Sequence, residues 1–108
     1  MNVIKESQEF SKQDRYMMTH NRSKSLKDAV GEKLTVTGWL YYADVNSRGE
    51  NVEVLVLVTD TGYCSTISQT FANAFLDIAE AFDMPVKIAV VGGVTRNGRD
   101  FITCELTQ

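Results

Sequence analysis

Apolar and polar residues alternate with a period of two from Leu34 onward, and this alternation predicts a first strand. One parity of the strand is apolar and is expected to face the core. Trp39 and Tyr41 fall on the other parity, so we expect both rings on the outer face of the sheet. Gly38 lies in the middle of this strand, where a long strand can bend sharply.

Two further strands follow. Residues 52–59 are apolar at both parities, which predicts a central strand that is covered on both faces. Residues 60–62, Asp-Thr-Gly, are typical of a tight turn, and residues 63–68 are predicted to return as a third strand. The three strands are therefore expected to form an antiparallel meander.

The hydrophobic period changes to 3.6 at Phe71, and this change predicts a helix over residues 70–83. Its apolar stripe comprises Phe71, Ala74, Phe75, Ile78, Ala79 and Phe82. Ser68 or Thr70 can cap the first amides of the helix, and Pro85 prevents its continuation. We expect this helix to connect the third and fourth strands.

A hairpin is predicted at the end of the sequence. Residues 86–91 predict a fourth strand and residues 101–107 a fifth, with a bulge or bend at residues 92–93. Asn97-Gly98 is the pair favoured in a two-residue type I′ turn. That turn opposes Arg96 to Arg99, Val94 to Phe101 and Gly93 to Ile102. Ile102, Cys104 and Leu106 then face inward, and the residues that share the outer face are Arg96, Arg99 and Phe101.

Residues 1–30 are polar and lack strand-like alternation, so we expect a short arm followed by one domain over residues 31–108. Ser25 can cap a single helical turn that Gly31 closes in the left-handed conformation. Three alternatives stay open for the arm: it folds over a ligand, packs against the domain, or mediates a dimer.

The order of the elements is three meandering strands, one helix and a hairpin. This order predicts an all-β protein with one helix, arranged as a five-stranded antiparallel OB-fold barrel. The helix is expected at one end of the barrel, and the short N-terminal arm precedes it.

Composition narrows the range of functions. The 108 residues are 44% hydrophobic and 23% charged, as is typical of one globular domain. No apolar run approaches the ~18 residues of a bilayer span, so we expect a cytoplasmic protein without membrane contact. Cys64 and Cys104 match no metal-binding spacing, and His20 is the only histidine. We therefore expect neither a metal nor another cofactor.

The formal charge of −3 is unevenly distributed. Residues 1–30 hold six Lys/Arg against four Asp/Glu, a net +2, whereas residues 31–108 hold five against ten, a net −5. A pI near 5 argues against a duplex-DNA binder that relies on bulk positive charge, although a local groove can still be positive.

Three short segments carry a resemblance to a known group of proteins: Gly38-Trp39, Ser68-Gln69-Thr70-Phe71 and Asn97-Gly98-Arg99-Asp100-Phe101-Ile102. From about residue 10 to residue 107 the chain resembles the small OB-fold single-stranded DNA-binding proteins of bacteriophages and related mobile elements. The resemblance implies sequence-tolerant binding of single-stranded DNA, with RNA as an alternative ligand. It also implies a role in phage DNA replication or recombination in the host cytoplasm.

Binding of a single strand without sequence preference needs flat faces on which bases stack and cations that follow the phosphates. The candidates in the barrel are Trp39, Tyr41, Arg48, Tyr63, Arg96, Arg99 and Phe101. The candidates in the arm are Lys12, Arg15 and Arg22. A homo-oligomer through the arm or through an open edge of the barrel is a further alternative.

Two other functional classes were weighed. Four acids near strand ends, Asp44, Glu50, Glu53 and Asp60, could in principle hold Mg²⁺ for a nuclease, but their spacing does not require it. We therefore expect no enzyme. The stronger alternative is an OB-fold protein-binding adaptor or virion component that binds no nucleic acid, because such a role would explain the acidic pI directly.

Overall fold

The computed structural model describes residues 1–20 and 23–107. In chain order its elements are β1 Asn2–Glu6, α1 Lys12–His20, β2 Lys24–Ser25, a 3₁₀ helix Leu26–Ala29, β3 Lys33–Val45, β4 Asn51–Thr59, β5 Gly62–Thr66, α2 Gln69–Ala81, β6 Val86–Val94 and β7 Asp100–Leu106. The five predicted strands correspond to β3 through β7, and the predicted helix corresponds to α2. These six elements are confirmed, with ends that differ by a few residues.

The strands form one curled, mixed sheet. Its order is β2-β5-β4-β3-β6-β7, and β1 pairs with β3 beside this path. β2 runs parallel to β5, whereas the other described pairs are antiparallel. The prediction of five strands, all antiparallel, is therefore wrong, because β1 and β2 arise from the segment expected to be an arm. Among the described residues no ladder joins β7 to β2 or to β5, so the sheet stays open between β7 and the edge that β2 forms on β5.

The long strand β3 changes face at a bulge. Its pairing with β4 shifts register between Val36 and Gly38, so Thr37 is one extra residue in the strand. Because side chains alternate along a strand, the insertion reverses the parity of every later residue. The described residues form two apolar clusters, and we call the larger one the main core. Trp39 and Tyr41 therefore lie in the main core, 8% and 6% exposed. The prediction that these two rings occupy the outer face is wrong.

Helix α2 covers the main core on one face of the sheet. Phe71 and Phe75 are fully buried, and the Phe75 ring packs edge-on against Trp39 with 6.2 Å between ring centroids. The N-cap is Ser68, one of the two predicted residues, and its Oγ accepts a hydrogen bond from the Phe71 amide at 3.2 Å. The helix ends before Pro85, as predicted.

A second apolar cluster lies on the opposite face of the sheet, beneath the N-terminal segment. Phe10 and Met18 pack there against Leu40, Tyr42 and Val56. Pairing of β1 with β3 holds the same segment against the sheet. Of the three alternatives for the arm, packing against the domain is therefore the one observed.

Gly38 permits this close approach. A Cβ at Gly38 would lie 3.3 Å from the Phe10 ring and 3.3 Å from Ser7 Oγ. Two hydrogen bonds fix the segment at the same place: the Ser7 amide donates to the Trp39 carbonyl at 3.0 Å, and the Trp39 amide donates to Ser7 Oγ at 2.9 Å. A larger residue at position 38 would push the segment away from β3.

The short turn before β3 is confirmed. Ser25 Oγ accepts a hydrogen bond from the Lys27 amide at 3.3 Å, and Gly31 adopts a φ of +90°. The two inward residues of the turn, Leu26 and Ala29, are fully buried in the main core. Residues on both sides of position 30 thus contribute to one core, while the division into an arm and a domain stays a prediction.

Residues 95–99 connect β6 to β7, and because Thr95 still bonds to Arg99 the loop itself has three residues, 96–98, so the predicted two-residue turn is wrong. The Gly98 amide donates to the Thr95 carbonyl at 2.9 Å, and the Thr95 amide donates to the Arg99 carbonyl at 2.8 Å. A type I′ turn needs a positive φ at two successive residues. Only Gly98, at +77°, has one here, so Asn97 remains in the ordinary region.

The longer loop moves the register of the hairpin by one residue. Gly93 pairs with Phe101 and Val94 pairs with Asp100, so Arg96 does not oppose Arg99 as predicted. The ladder also runs without a register shift from Ile88↔Leu106 to Val94↔Asp100. Of the two alternatives for residues 92–93, the bulge is therefore wrong as well, and the bend stays a prediction.

Cys104 on β7 faces the main core, as predicted, and is 6% exposed. Burial, with a smaller contribution from the charge of Glu105, raises the pKa of the Cys104 thiol to about 12. An unfolded thiol titrates near pH ~8.5, so the unfolded state loses this proton first as the pH rises. The stabilising effect of Cys104 is therefore complete below about pH 8.5 and is lost as the pH approaches about 12.

We expect the free energy of unfolding, measured with urea, to fall between about pH 8 and about pH 10.5. The fall should be smaller in a Cys104→Ala variant, which lacks the titrating thiol. Identical pH profiles for the two proteins would contradict this prediction.

Candidate nucleic-acid interface

A groove of about 720 Å³ occupies the opening between the two edges of the sheet. The 3₁₀ turn and the end of β5 form one wall, and the β6–β7 hairpin forms the other. Its lining residues are Ser25, Lys27, Val30, Thr66, Ile67, Ser68, Gly92, Gly93, Val94, Asp100, Phe101 and Ile102. We call it the hairpin groove. Val30, Ile67 and Val94 are exposed apolar residues, so the groove offers mainly apolar surface.

The ring of Phe101 lies across Gly93, its partner on the neighbouring strand. A Cβ at Gly93 would lie only 2.4 Å from Phe101 Cζ, closer than real side-chain atoms approach. Position 93 therefore has to be glycine for the ring to lie where it does. Phe101 is half-buried and lines the hairpin groove, so part of the ring is accessible from the groove.

Two arginines lie at the tip of the same hairpin. Arg96 lies in the loop, and Arg99 closes it, with its amide donating to Thr95 Oγ1 at 3.1 Å. Both side chains are exposed, and neither forms an ion pair or side-chain hydrogen bond with any described residue. Arg99 keeps the strand parity of Phe101 despite the changed register. Both guanidinium groups are therefore available to a phosphate near the groove.

A second depression, of about 450 Å³, continues the hairpin groove towards the β3–β4 loop. It is lined by Ala43, Asn51, Val52, Glu53, Ile67 and Gln69. Ile67, whose side chain is 68% exposed, lines both depressions and joins them. Because Asn51 directly follows the loop of residues 46–50, the two depressions lead from the hairpin to this loop. We call the combined path the binding track.

Arg48 lies in the loop at the far end of the binding track. Asn46 Oδ1 shapes this loop by accepting hydrogen bonds from the amides of Arg48 at 2.9 Å and Glu50 at 3.0 Å. The Arg48 side chain is exposed and has no ion-pair partner among residues 1–20 and 23–107. Inside the track, the lining carries one cation, Lys27, and two anions, Asp100 and Glu53. The arginines without an ion-pair partner among the described residues therefore lie at the two ends of the track.

Trp39 and Tyr41 lie in the main core, and the hydroxyl of Tyr41 bonds to two residues that line the track. It donates to Glu53 Oε1 at 2.8 Å and accepts from Gln69 Nε2 at 3.0 Å. Burial raises the pKa of Tyr41, so the hydroxyl stays protonated and can donate at neutral pH. Contact of either ring with nucleic acid stays a prediction, which their burial disfavours.

The other predicted residues that the structure describes lie away from the track. The Arg15 guanidinium donates to Glu6 at 2.7 Å and connects α1 to β1, so its charge is already paired. Tyr63 is half-buried on β5 and packs against the second apolar cluster. Lys12 is exposed at the start of α1. Arg22 lies outside the described residues.

Several residues of the track were not predicted from the sequence. Ile67 stands between β5 and α2, where an apolar residue without a periodic partner is a signal for a surface contact. Val94 next to the hairpin loop is a similar signal. Val30 had no usable signal, because it joins the groove through its approach to Gly92 on the distant strand β6.

Two further features are absent from residues 1–20 and 23–107. No cluster of three or more His, Cys, Asp or Glu side chains suited to a metal ion occurs there. No helix in the same residues is long and apolar enough to cross a bilayer.

Comparison with known families gives one match. A family model described as phage single-stranded DNA-binding protein, of the phi29 type, matches residues 7–107. The match spans the whole of the binding track and nearly all of the sheet. No curated protein and no solved structure matches the chain significantly.

Proposed function

This chain belongs to the phage single-stranded DNA-binding protein family, and we propose that it coats single-stranded DNA without sequence preference during phage DNA replication. The observation that carries the proposal is the binding track, whose apolar floor lies between two sites of unpaired arginines. We propose that bases occupy the track and that the phosphates pass Arg96, Arg99 and Arg48.

The chemistry of the track favours a single strand over a duplex. Unpaired bases offer their faces to an aromatic or apolar surface, and every base has such a face. Phe101 supplies the stacking surface, and Ile67 extends the apolar floor towards Asn51. In a duplex the bases are stacked on one another, so these surfaces would stay empty.

The acidic pI is compatible with this role. The cations near the track act locally, over a distance comparable with the Debye length of ~8 Å at physiological salt. The two acidic residues of α2, Asp77 and Glu80, lie on an element that does not carry these cations. They disfavour non-specific adhesion of the rest of the surface to nucleic acid.

We propose that the curled sheet is an open variant of the five-stranded OB-fold barrel. The order β3-β4-β5-α2-β6-β7 supports this assignment, because the helix stands between the third and fourth strands of the meander and hairpin. In this variant the separation between β5 and β7 provides the groove that a closed barrel would lack.

Further parts of the proposal follow from the family. We propose that the protein acts by binding alone, without catalysis, and in the cytoplasm of the host cell. Recombination is a second process in which exposed single strands need protection. We also propose RNA as an alternative ligand. A homo-oligomer would form through the arm or through the open edge of the sheet, and both proposals can be tested.

The decisive experiment is titration of fluorescently labelled oligo-dT with the protein, followed by anisotropy at low and high salt. We expect saturable binding that weakens as salt rises, since phosphate contacts release counterions. A duplex of the same length should bind more weakly. Absence of binding at low salt would contradict the proposal and favour the protein-binding adaptor.

We predict a shallower salt dependence for the double variant Arg96→Ala with Arg99→Ala. If each arginine neutralises one phosphate, the slope of log affinity against log salt should decrease in magnitude by about 1.4, at roughly 0.7 per phosphate on single strands. The loss should be similar for poly-dT and mixed sequence, because phosphate contacts carry no base information.

Lys87→Ala is the matched control for charge. Lys87 is exposed on β6, the strand that leads into the hairpin, but about seven residues or roughly 23 Å from its end. It should leave the salt slope unchanged. A slope that changes equally per charge in both variants would assign the effect to net charge and would exclude a specific hairpin contact.

A further inference from the structure

Helix α1 carries an exposed stripe that none of the contacts above explains. Lys12, Tyr16 and His20 are spaced four residues apart, so they fall on one face of the helix. Met18 lies on the opposite face and is 3% exposed, in the second apolar cluster. The stripe therefore points away from the sheet.

The two rings of the stripe are stacked on each other. Their centroids are 4.3 Å apart and their planes differ by 10°. Tyr16 is nevertheless 59% exposed, and His20 Nδ1 is held by Thr19 Oγ1 at 2.9 Å and by the Tyr16 carbonyl at 3.2 Å. The result is a preorganised aromatic platform in solvent, with a lysine one helical turn away.

The platform lies close to the hairpin groove along the chain. Ser23 Oγ is 2.6 Å from Ser65 Oγ on β5, and Ser25 already lines the groove. Four residues lie between His20 and Ser25, so their Cα atoms are at most about 18 Å apart for an extended chain. Lys27 lines the groove, whereas Lys24, whose Nζ lies 2.6 Å from Glu32 Oε2, is already paired.

We propose that the outer stripe of α1 is a second contact for single-stranded DNA, which a strand reaches after it leaves the hairpin groove. This inference rests on the proposed function. A base stacks on the free face of the ring pair, and Lys12 binds an adjoining phosphate. The charge distribution supports an anionic polymer as the occupant, because residues 1–30 carry a net +2 while the rest of the chain carries −5.

The length of the oligonucleotide tests the inference. We expect Tyr16→Ala to weaken binding of a dT oligomer of about 16 nucleotides by about five-fold or more, and to leave an oligomer of about 6 nucleotides unaffected. Lys12→Ala should reduce the salt slope by roughly 0.7 with the long oligomer alone. Tyr16→Phe keeps the ring and should bind the long oligomer as tightly as the wild type does.

Each other outcome overturns the inference. Equal losses at both lengths would mean a general effect on the fold or charge, and no loss at either length would mean that DNA avoids α1. A changed mass in light scattering with unchanged affinity would assign the stripe to a second copy. Absence of wild-type binding at both lengths would overturn the proposed function as well, so the two failures are distinguishable.

A fluorescent reporter gives an independent measurement. Tyr16→Trp adds an exposed indole, while Trp39 stays buried as a constant background. The added emission should be quenched by the long oligomer and unaffected by the short one. Saturated anisotropy without any quenching would overturn the inference.

Discussion

Replacing Trp39 with alanine should lower the free energy of unfolding by about 3–5 kcal/mol, the usual cost of truncating a buried large aromatic. The Trp39 ring is 8% exposed and packs edge-on against Phe75 between the sheet and α2. Its removal leaves a cavity at the contact between these two layers. Urea unfolding measures the change directly.

A second substitution at this position, Trp39→Phe, tests which face of the sheet Trp39 occupies. Trp39→Phe keeps an aromatic contact with Phe75 and should retain the affinity for oligo-dT. As a control at an exposed position, Tyr16→Ala should change the free energy of unfolding by less than about 0.5 kcal/mol. If Trp39→Phe instead folded with unchanged stability and lost affinity, Trp39 would be a base-stacking residue after all.

Local periodicity was sufficient to predict β4, α2 and β7. Each of these elements is buried by a regular set of side chains within one short segment, so its period directly reflects its surroundings. The cap of α2 at Ser68 and the left-handed Gly31 follow from similarly local rules. No distant part of the chain has to be known for such features.

The face occupied by Trp39 and Tyr41 could not be predicted in the same way. The face that these rings occupy is determined by one inserted residue, Thr37. The composition of the strand does not reveal such an insertion. Gly38 indicated a bend but not that the later side chains would reverse. A single bulge thus moved two of the predicted binding residues from the surface into the core.

The hairpin shows a second limit. Asn97-Gly98 correctly indicated a tight turn, but the same pair also fits a three-residue loop in which only Gly98 is left-handed. Phe101 and Arg99 share a face in either register, since they are two residues apart. The prediction that Arg99 and Phe101 share a face therefore does not depend on the register, whereas the predicted opposition of the two arginines does and is wrong.

The second large effect is expected at the groove. Phe101→Ala should weaken binding of oligo-dT by about 1–3 kcal/mol, or about five- to 150-fold, which is the range for one stacked base. The salt slope should hardly change, because stacking releases no counterions. Anisotropy titrations at several salt concentrations separate these two quantities.

Phe101→Leu is the control for packing. Leucine preserves most of the apolar contact with β6 but lacks a flat ring, so the affinity should fall while the stability stays near that of the wild type. Melting temperatures of both variants identify any loss that comes from unfolding. Full affinity in Phe101→Leu would show that the ring provides apolar area alone.

Gly93→Ala should reproduce part of the Phe101→Ala loss without touching DNA itself. Its backbone is outside the left-handed region, and the nearest atoms that the new Cβ meets belong to the Phe101 ring, 2.4 Å away. The ring has to move from its present position over the strand. In a Phe101→Ala background the methyl group meets no ring, so Gly93→Ala should have little further effect on affinity. Equal losses in the two backgrounds would mean that the methyl group blocks the strand directly, and Gly93 would then lie in contact with DNA rather than position the ring.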